Sequence, residues 1–164
     1  MSFNVLVLCT GNSARSILGE MLFKHLGQGR IQAWSAGSKP GGAVNPVALE
    51  TLEKHGIPCA GARSKSWNEF GAGAVSPAPT FDFIFTVCSN AANEPCPIWP
   101  GQPTTAHWTI PDPAHVEPLA ARRVAFEEAY QSLHQRIAAF LALPLETMPR
   151  ADILAAARKI HEEN

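Results

Sequence analysis

No stretch of this chain stays apolar for more than a few residues, Val5 to Cys9 being typical, whereas a membrane-spanning helix needs roughly 20. An excess of one charge is missing too. Thirteen Lys and Arg stand against fourteen Asp and Glu, a net charge of -1, which leaves no electrostatic footprint for nucleic acid or an anionic lipid surface. The opening residues Met1-Ser2-Phe3-Asn4 carry no basic group, and the apolar stretch behind them breaks at Thr10-Gly11-Asn12. A secretory signal is therefore not expected, and the protein reads as cytoplasmic. The six histidines (His25, His55, His107, His115, His134, His161) form no cluster with cysteine or carboxylate at metal-site spacing, so neither a metal nor another cofactor is expected. The four cysteines, Cys9, Cys59, Cys88 and Cys96, in a reducing compartment suit buried thiols, ligands or catalysts better than a disulfide framework.

What is present is a chain of 164 residues, 46% of them apolar, enough for one domain with a real core. Phe3-Asn4-Val5-Leu6-Val7-Leu8 is short, apolar and β-branched, as a strand buried on both faces should be. From Arg15 the residues Ile17, Leu18, Met21, Leu22 and Leu26 repeat at helical spacing until Gly27 and Gly29. Ile31 to Ser35 reads as a second strand, and Asn45-Pro46 opens a helix that runs to about His55. Trp67 to Phe70 suits a short helix, and Gly71 to Pro79 a flexible insertion. Phe81 to Val87 reads as the third strand and Thr104 to Ile110 as a weaker fourth. A long amphipathic helix follows from Glu117 to Leu143, with Leu119, Val124, Leu133, Ile137 and Leu141 expected on or near one face. A last helix, about Pro149 to His161, carries Ile153, Leu154, Ala157 and Ile160. Nine of the fourteen prolines lie between Pro77 and Pro118, so the middle of the chain is loop-rich. These elements predict an α/β fold: a four-stranded parallel sheet flanked by helices, with its site at the carboxyl ends of the strands. Residues 1–143 form the domain in this reading, and residues 144–164 a C-terminal helical extension.

The segment Cys9-Thr10-Gly11-Asn12-Ser13-Ala14-Arg15-Ser16 joins the first strand to the first helix. A loop of this length can turn its backbone N-H groups towards one centre, and the helix N-terminus behind it adds positive potential for an oxyanion. Arg15 can grip two oxygens with its guanidinium. Cys9 then lies beneath the anion as a nucleophile, and the same donors favour its thiolate. Thr10, Gly11, Asn12, Ser13, Ala14, Arg15 and Ser16 are the expected oxyanion-binding residues, Ser16 as a further donor to the sulfur.

Through Val-Leu-Cys-Thr-Gly-Asn-Ser-Ala-Arg-Ser, the sequence resembles the low-molecular-weight tyrosine phosphatase fold family, and within it the arsenate reductases that use three cysteines. Trp34-Ser35-Ala36-Gly37, Asn45-Pro46, Thr86-Val87-Cys88-Ser89, Cys96-Pro97, His107-Trp108 and Asp112-Pro113-Ala114 also look like family signatures, over about residues 3 to 142. The resemblance implies that arsenate is reduced to arsenite, within arsenic detoxification, by a relay in which Cys9 attacks arsenate, Cys88 attacks Cys9 and Cys96 attacks Cys88. Two electrons must come from thiols, and the Cys88-Cys96 disulfide left behind would be reduced by thioredoxin, or by glutaredoxin with glutathione. Seven residues separate Cys88 from Cys96, one more than these reductases usually have. The resemblance makes Asp112 the general acid. Phosphate or sulfate should mimic arsenate in the loop. Asn12, Glu20 and Ser35 match positions that surround a potassium ion in some of these reductases, but Lys65 stands where a carboxylate is expected, so no potassium is expected here. Glu20 reads equally well as a charge on the helix surface. The alternative activity is that of a tyrosine phosphatase or small phosphomonoesterase, against which the single tyrosine, Tyr130, and Ala114-His115 after Asp112-Pro113 argue. A non-catalytic oxyanion-binding module is a third reading. Cys59 matches no family role and reads as structural.

Overall fold

The computed structural model describes residues 2–70, 79–87 and 103–163. Its strands are β1 (Phe3–Cys9), β2 (Ile31–Gly37), β3 (Phe83–Thr86) and β4 (Thr104–His107). Its α-helices are α1 (Arg15–Gly27), α2 (Pro46–Lys54), α3 (Leu119–Leu141) and α4 (Arg150–Glu163), with a 3-10 turn at Trp67–Glu69. All strand pairs are parallel, in the order β2-β1-β3-β4. The chain leaves β1 for one neighbour and returns to the other, so the carboxyl ends of β1 and β3 flank the point where the winding reverses, the usual place for a site in such a sheet.

β1 and β3 are the inner strands, and side chains on both of their faces are buried, which is why they read as unbroken apolar runs. Val5 and Val7 face the larger core with Ile17, Leu18, Met21 and Leu22 of α1, while Leu6 and Leu8 face a smaller cluster with Trp67, Phe70, Phe81 and Ile84. Phe23, Phe85, Trp108 and Phe140 stack or meet edge-on in the larger core. Each such side chain contributes about 1.5–3 kcal/mol by leaving water. α2 begins where Asn45 accepts the Val47 N-H at 2.9 Å and Pro46 occupies the first turn.

Two expectations need correction. β4 ends at His107, short of Ile110, because Trp108 and Ile110 donate to Thr86 O and Val87 O without extending the regular ladder. On α3, Leu119 and Val124 are exposed, and the buried face carries Phe126, Ala129, Tyr130, Leu133, Ile137 and Phe140. Val124 lies nine residues before Leu133, which at 100° per residue puts it on the opposite side of the helix.

α4 packs on its own chain. Ile153, Ala157 and Ile160 join the larger core, and the Trp108 indole donates to Ala157 O at 2.9 Å. Arg30 ties down the linker before it, donating to Leu141 O, Leu143 O and the Glu146 carboxylate. Among the described residues, no helix is long and apolar enough to cross a membrane.

Candidate active site

β1 delivers Cys9, 5% exposed, to the floor of a cavity of about 380 Å³. The walls are Thr10, Gly11, Asn12, Ser13, Ala14 and Arg15 on one side, with Asn45, Asp112, Ala114 and His115 around the mouth. Outside donors take the carbonyls of the loop: Lys39 N binds Thr10 O, Gly41 N binds Gly11 O, Asn45 N binds Ser13 O and Leu18 N binds Ala14 O, at 2.8–3.1 Å. Carbonyl and following N-H point opposite ways in a trans peptide. The N-H groups of Gly11, Asn12 and Ala14 are therefore turned away from residues 39–45, in the manner of an anion nest.

The N-terminus of α1 reinforces this. Its cap residue, Ala14, makes no side-chain capping bond, and the first turn holds no acidic residue. A helix start with no capping side chain keeps donors and positive potential for an anion. Arg15, with 14% of its side chain exposed, donates through Nη1 to Ile110 O at 2.9 Å and holds Nη2 3.6 Å from Asp112 Oδ2. Asp112 is 39% exposed and accepts the Ala114 N-H at 2.9 Å; His115 Nε2 lies 3.9 Å away on the solvent side.

The loop rests on a buried polar layer. Asn12 is fully buried and adopts φ 46°, unusual for a residue other than glycine. Its amide donates to Ser16 Oγ at 2.8 Å and Ser35 Oγ at 3.0 Å, and its carbonyl oxygen accepts the Lys65 N-H at 2.9 Å. Ser35 passes a hydrogen bond to Glu20 Oε1. Gly37 of β2 closes the floor: a Cβ there would lie 2.4 Å from Thr10 O and 2.8 Å from Cys9 O, so only glycine admits this approach.

The structure thus brings together Cys9, Thr10 to Arg15 and Asp112. Ser16 does not line the cavity; it lies beneath, with Asn12 on its hydroxyl. Cys88 and Cys96 lie outside the described residues, though Val87 donates to Leu8 O next to Cys9. Residues 71–78 of the expected insertion lie outside them as well. Glu20 is 3% exposed, not a surface charge. Its carboxylate already faces Ser35 Oγ, Lys24 Nζ at 2.9 Å and Lys65 Nζ at 3.5 Å. A potassium ion does not fit there, because two ammonium groups would repel it. Cys59 is half-buried, its thiol directed at Ile57 O, and burial together with Glu53 pushes its pKa up. Asn45 and His115, as cavity residues, went unseen in the sequence: Asn45 reads as a helix cap, and an exposed histidine leaves no periodic signal.

The family described as "Low molecular weight phosphotyrosine protein phosphatase" matches residues 4–151. An arsenate reductase of Shouchella clausii is 31% identical over 134 residues, 81% of this chain and 91% of that protein. A glutaredoxin arsenate reductase of Synechocystis is 31% identical over 109 residues, 66% of this chain and 77% of that protein. A solved arsenate reductase in its phosphate-binding state superposes with a TM-score of 0.63 at 28% identity, covering 83% of this chain and 97% of its own.

Proposed function

The chain belongs to the low molecular weight phosphotyrosine protein phosphatase family, and on that footing we infer that it is an arsenate reductase, an enzyme converting arsenate to arsenite in arsenic detoxification. The observation that carries this reading is a buried thiol, Cys9, beneath an uncapped helix start and an arginine, in a cavity where none of the described lining residues is Phe, Tyr or Trp. Such a mouth suits a small tetrahedral oxyanion better than an aryl phosphate.

Arsenate binds with its oxygens on the N-H groups of residues 10–15 and the Arg15 fork. Ser16, whose oxygen accepts from Asn12, keeps its own proton for the Cys9 sulfur. The Cys9 thiolate attacks arsenic, and Asp112 protonates the departing hydroxide to water. The Cys88 thiolate then attacks Cys9 Sγ. The S-As bonding pair stays on arsenic, which leaves as arsenite, and a Cys9-Cys88 disulfide forms. Cys96 attacks Cys88, frees Cys9 and leaves a Cys88-Cys96 disulfide, so two thiols have supplied the two electrons. A dithiol protein of the thioredoxin kind, or glutaredoxin with glutathione, restores them by exchange, which fits a cytoplasmic protein.

Reduced protein mixed with arsenate, with no other reductant, should release a single arsenite per chain and contain Cys88 and Cys96 as a disulfide. Recovery of all thiols, with only a Cys9-dependent ester hydrolysis, would make the protein a phosphatase. Adding thioredoxin or glutaredoxin to the oxidised product identifies the reductant.

A further inference from the structure

Beneath the bend of the cradle lie the side chains of Asn12, Ser35, Glu20 and Lys65, at 0%, 0%, 3% and 7% exposure, with Ser16 beside them. Charges are rarely placed so deep, because even a well-paired buried ion pair contributes little net stability compared with apolar side chains of the same volume. This pair abuts the one loop residue held at positive φ. Lys65 touches that residue's surroundings twice. Its backbone N-H binds Asn12 Oδ1, and its ammonium lies 3.5 Å from the Glu20 oxygen that Ser35 also donates to, while Ser35 Oγ accepts from Asn12. The same segment is stitched to β2, Gly37 N donating to Lys65 O at 2.9 Å. Nζ also donates to Arg63 O at 3.1 Å, which fixes the ammonium from the other side. Lys24, the second cation on Glu20, has 44% of its side chain exposed, so water screens it and Lys65 is the buried counter-charge.

We propose that Lys65 is a positioning residue for the oxyanion cradle: its ammonium is the resident counter-cation of Glu20, and through Ser35 and Asn12 it sets the shape of the loop without any bound monovalent metal ion. Removing the ammonium leaves Glu20 as an under-compensated buried carboxylate, free to draw Ser35 and then Asn12 out of register. The loop donors would shift with them, weakening the grip on the anion while Cys9 and Asp112 stay intact. The proposal rests on the reading of residues 9–16 as an oxyanion cradle.

The experiment compares the parent with Lys65→Ala, which keeps the backbone N-H on Asn12 and opens room for a small cation. Parent protein should show the same KM for arsenate in potassium chloride as in tetramethylammonium chloride of equal ionic strength. Lys65→Ala should raise that KM about 10-fold or more, the usual cost of losing a partner that orients a binding group, with kcat changed less. Ammonium or methylammonium should bring the KM back towards the parent value, where tetramethylammonium does not; a merely structural lysine would show no such rescue. A parent KM that depends on potassium, or a Lys65→Ala variant with the parent KM, overturns the proposal. Should Lys65→Ala fail to fold, the doubly neutral variant Glu20→Gln with Lys65→Met replaces it. That variant should fold and bind arsenate weakly, and a parent-like KM in it overturns the proposal as well. Failure of phosphate to protect Cys9 from alkylation in the parent would instead remove the cradle reading itself.

Discussion

The two sides of the cavity are built differently. The side made by β1 and α1 is buried and cross-linked: its carbonyls are matched to donors from residues 39–45, its bend rests on Asn12, and Gly37 closes it from beneath. The side made by residues 110–116 is open to solvent at Pro111, Asp112 and His115, and its carboxyl group is held by one turn bond from Ala114 and a loose ion pair to Arg15. A rigid cradle suits binding, in which donors must be in place before the anion arrives. A lightly held acid suits proton delivery, in which the group must follow an oxygen that moves as its bond breaks.

The largest effect should come from breaking the rigid side. Gly37→Ala drives a Cβ into the carbonyls of Thr10 and Cys9, and should cost about 2–3 kcal/mol of stability as an overpacked site does. Phosphate protection of Cys9 against alkylation should be lost with it; unchanged protection would mean the loop can move without harm. Next comes the acid. Asp112→Asn should lower kcat about 100-fold while leaving the phosphate inhibition constant near the parent value, and equal losses in both would end the division between grip and acid.

Truncation after Leu143 should act more weakly on oxyanion binding and turnover, though it costs more stability. It uncovers Trp108, two residues before Ile110, and removes the burial of Ile153, Ala157 and Ile160, a cost of about 3 kcal/mol or more. We expect a folded protein with a lower Tm, parent-like oxyanion binding and a several-fold drop in turnover. Global unfolding would show that residues 144–164 belong to the domain core. The smallest effect should come from Glu127→Gln, far from either side. Burial alone would raise this carboxylate's pKa, yet Gln131, His55 and Lys54 outweigh it and hold the value at about 2. The folded value lies below the unfolded one, so this stabilisation is present above about pH 4.5 and is lost as pH falls towards 2. The urea midpoints of parent and variant should thus differ at neutral pH, draw together below about pH 4.5 and converge as pH falls to about 2, with kcat untouched.

The rigid side was largely legible in the amino-acid order because its signals are local. An apolar strand, a tight loop with Cys9 and Arg15, and a helical repeat from Ile17 to Leu22 follow one another without a break. Asn45-Pro46 announced α2 in the same way. The layer beneath was legible only through the resemblance, which groups Asn12, Glu20 and Ser35 and sets Lys65 beside them; spacing alone does not join Glu20 to Lys65, 45 positions apart, and Glu20 on its own reads as a surface charge. Gly37 looks like any strand-end glycine until the register that pairs it with Cys9 is known. Val124 misled because apolar character does not by itself state which face of a helix a residue occupies.

The bond from Arg15 to Ile110 O has a consequence for entropy. A free arginine side chain carries about 2 kcal/mol of rotamer freedom, which an anion would have to suppress on capture. Here the carbonyl of residue 110 has already halted those rotors, so the loss is incurred on folding and the anion meets a guanidinium that is nearly still. The buried start of the opposite side, at Ile110, therefore acts as a splint for the chief ligand of the rigid side, and displacing that one carbonyl would be felt as a weaker grip on the anion.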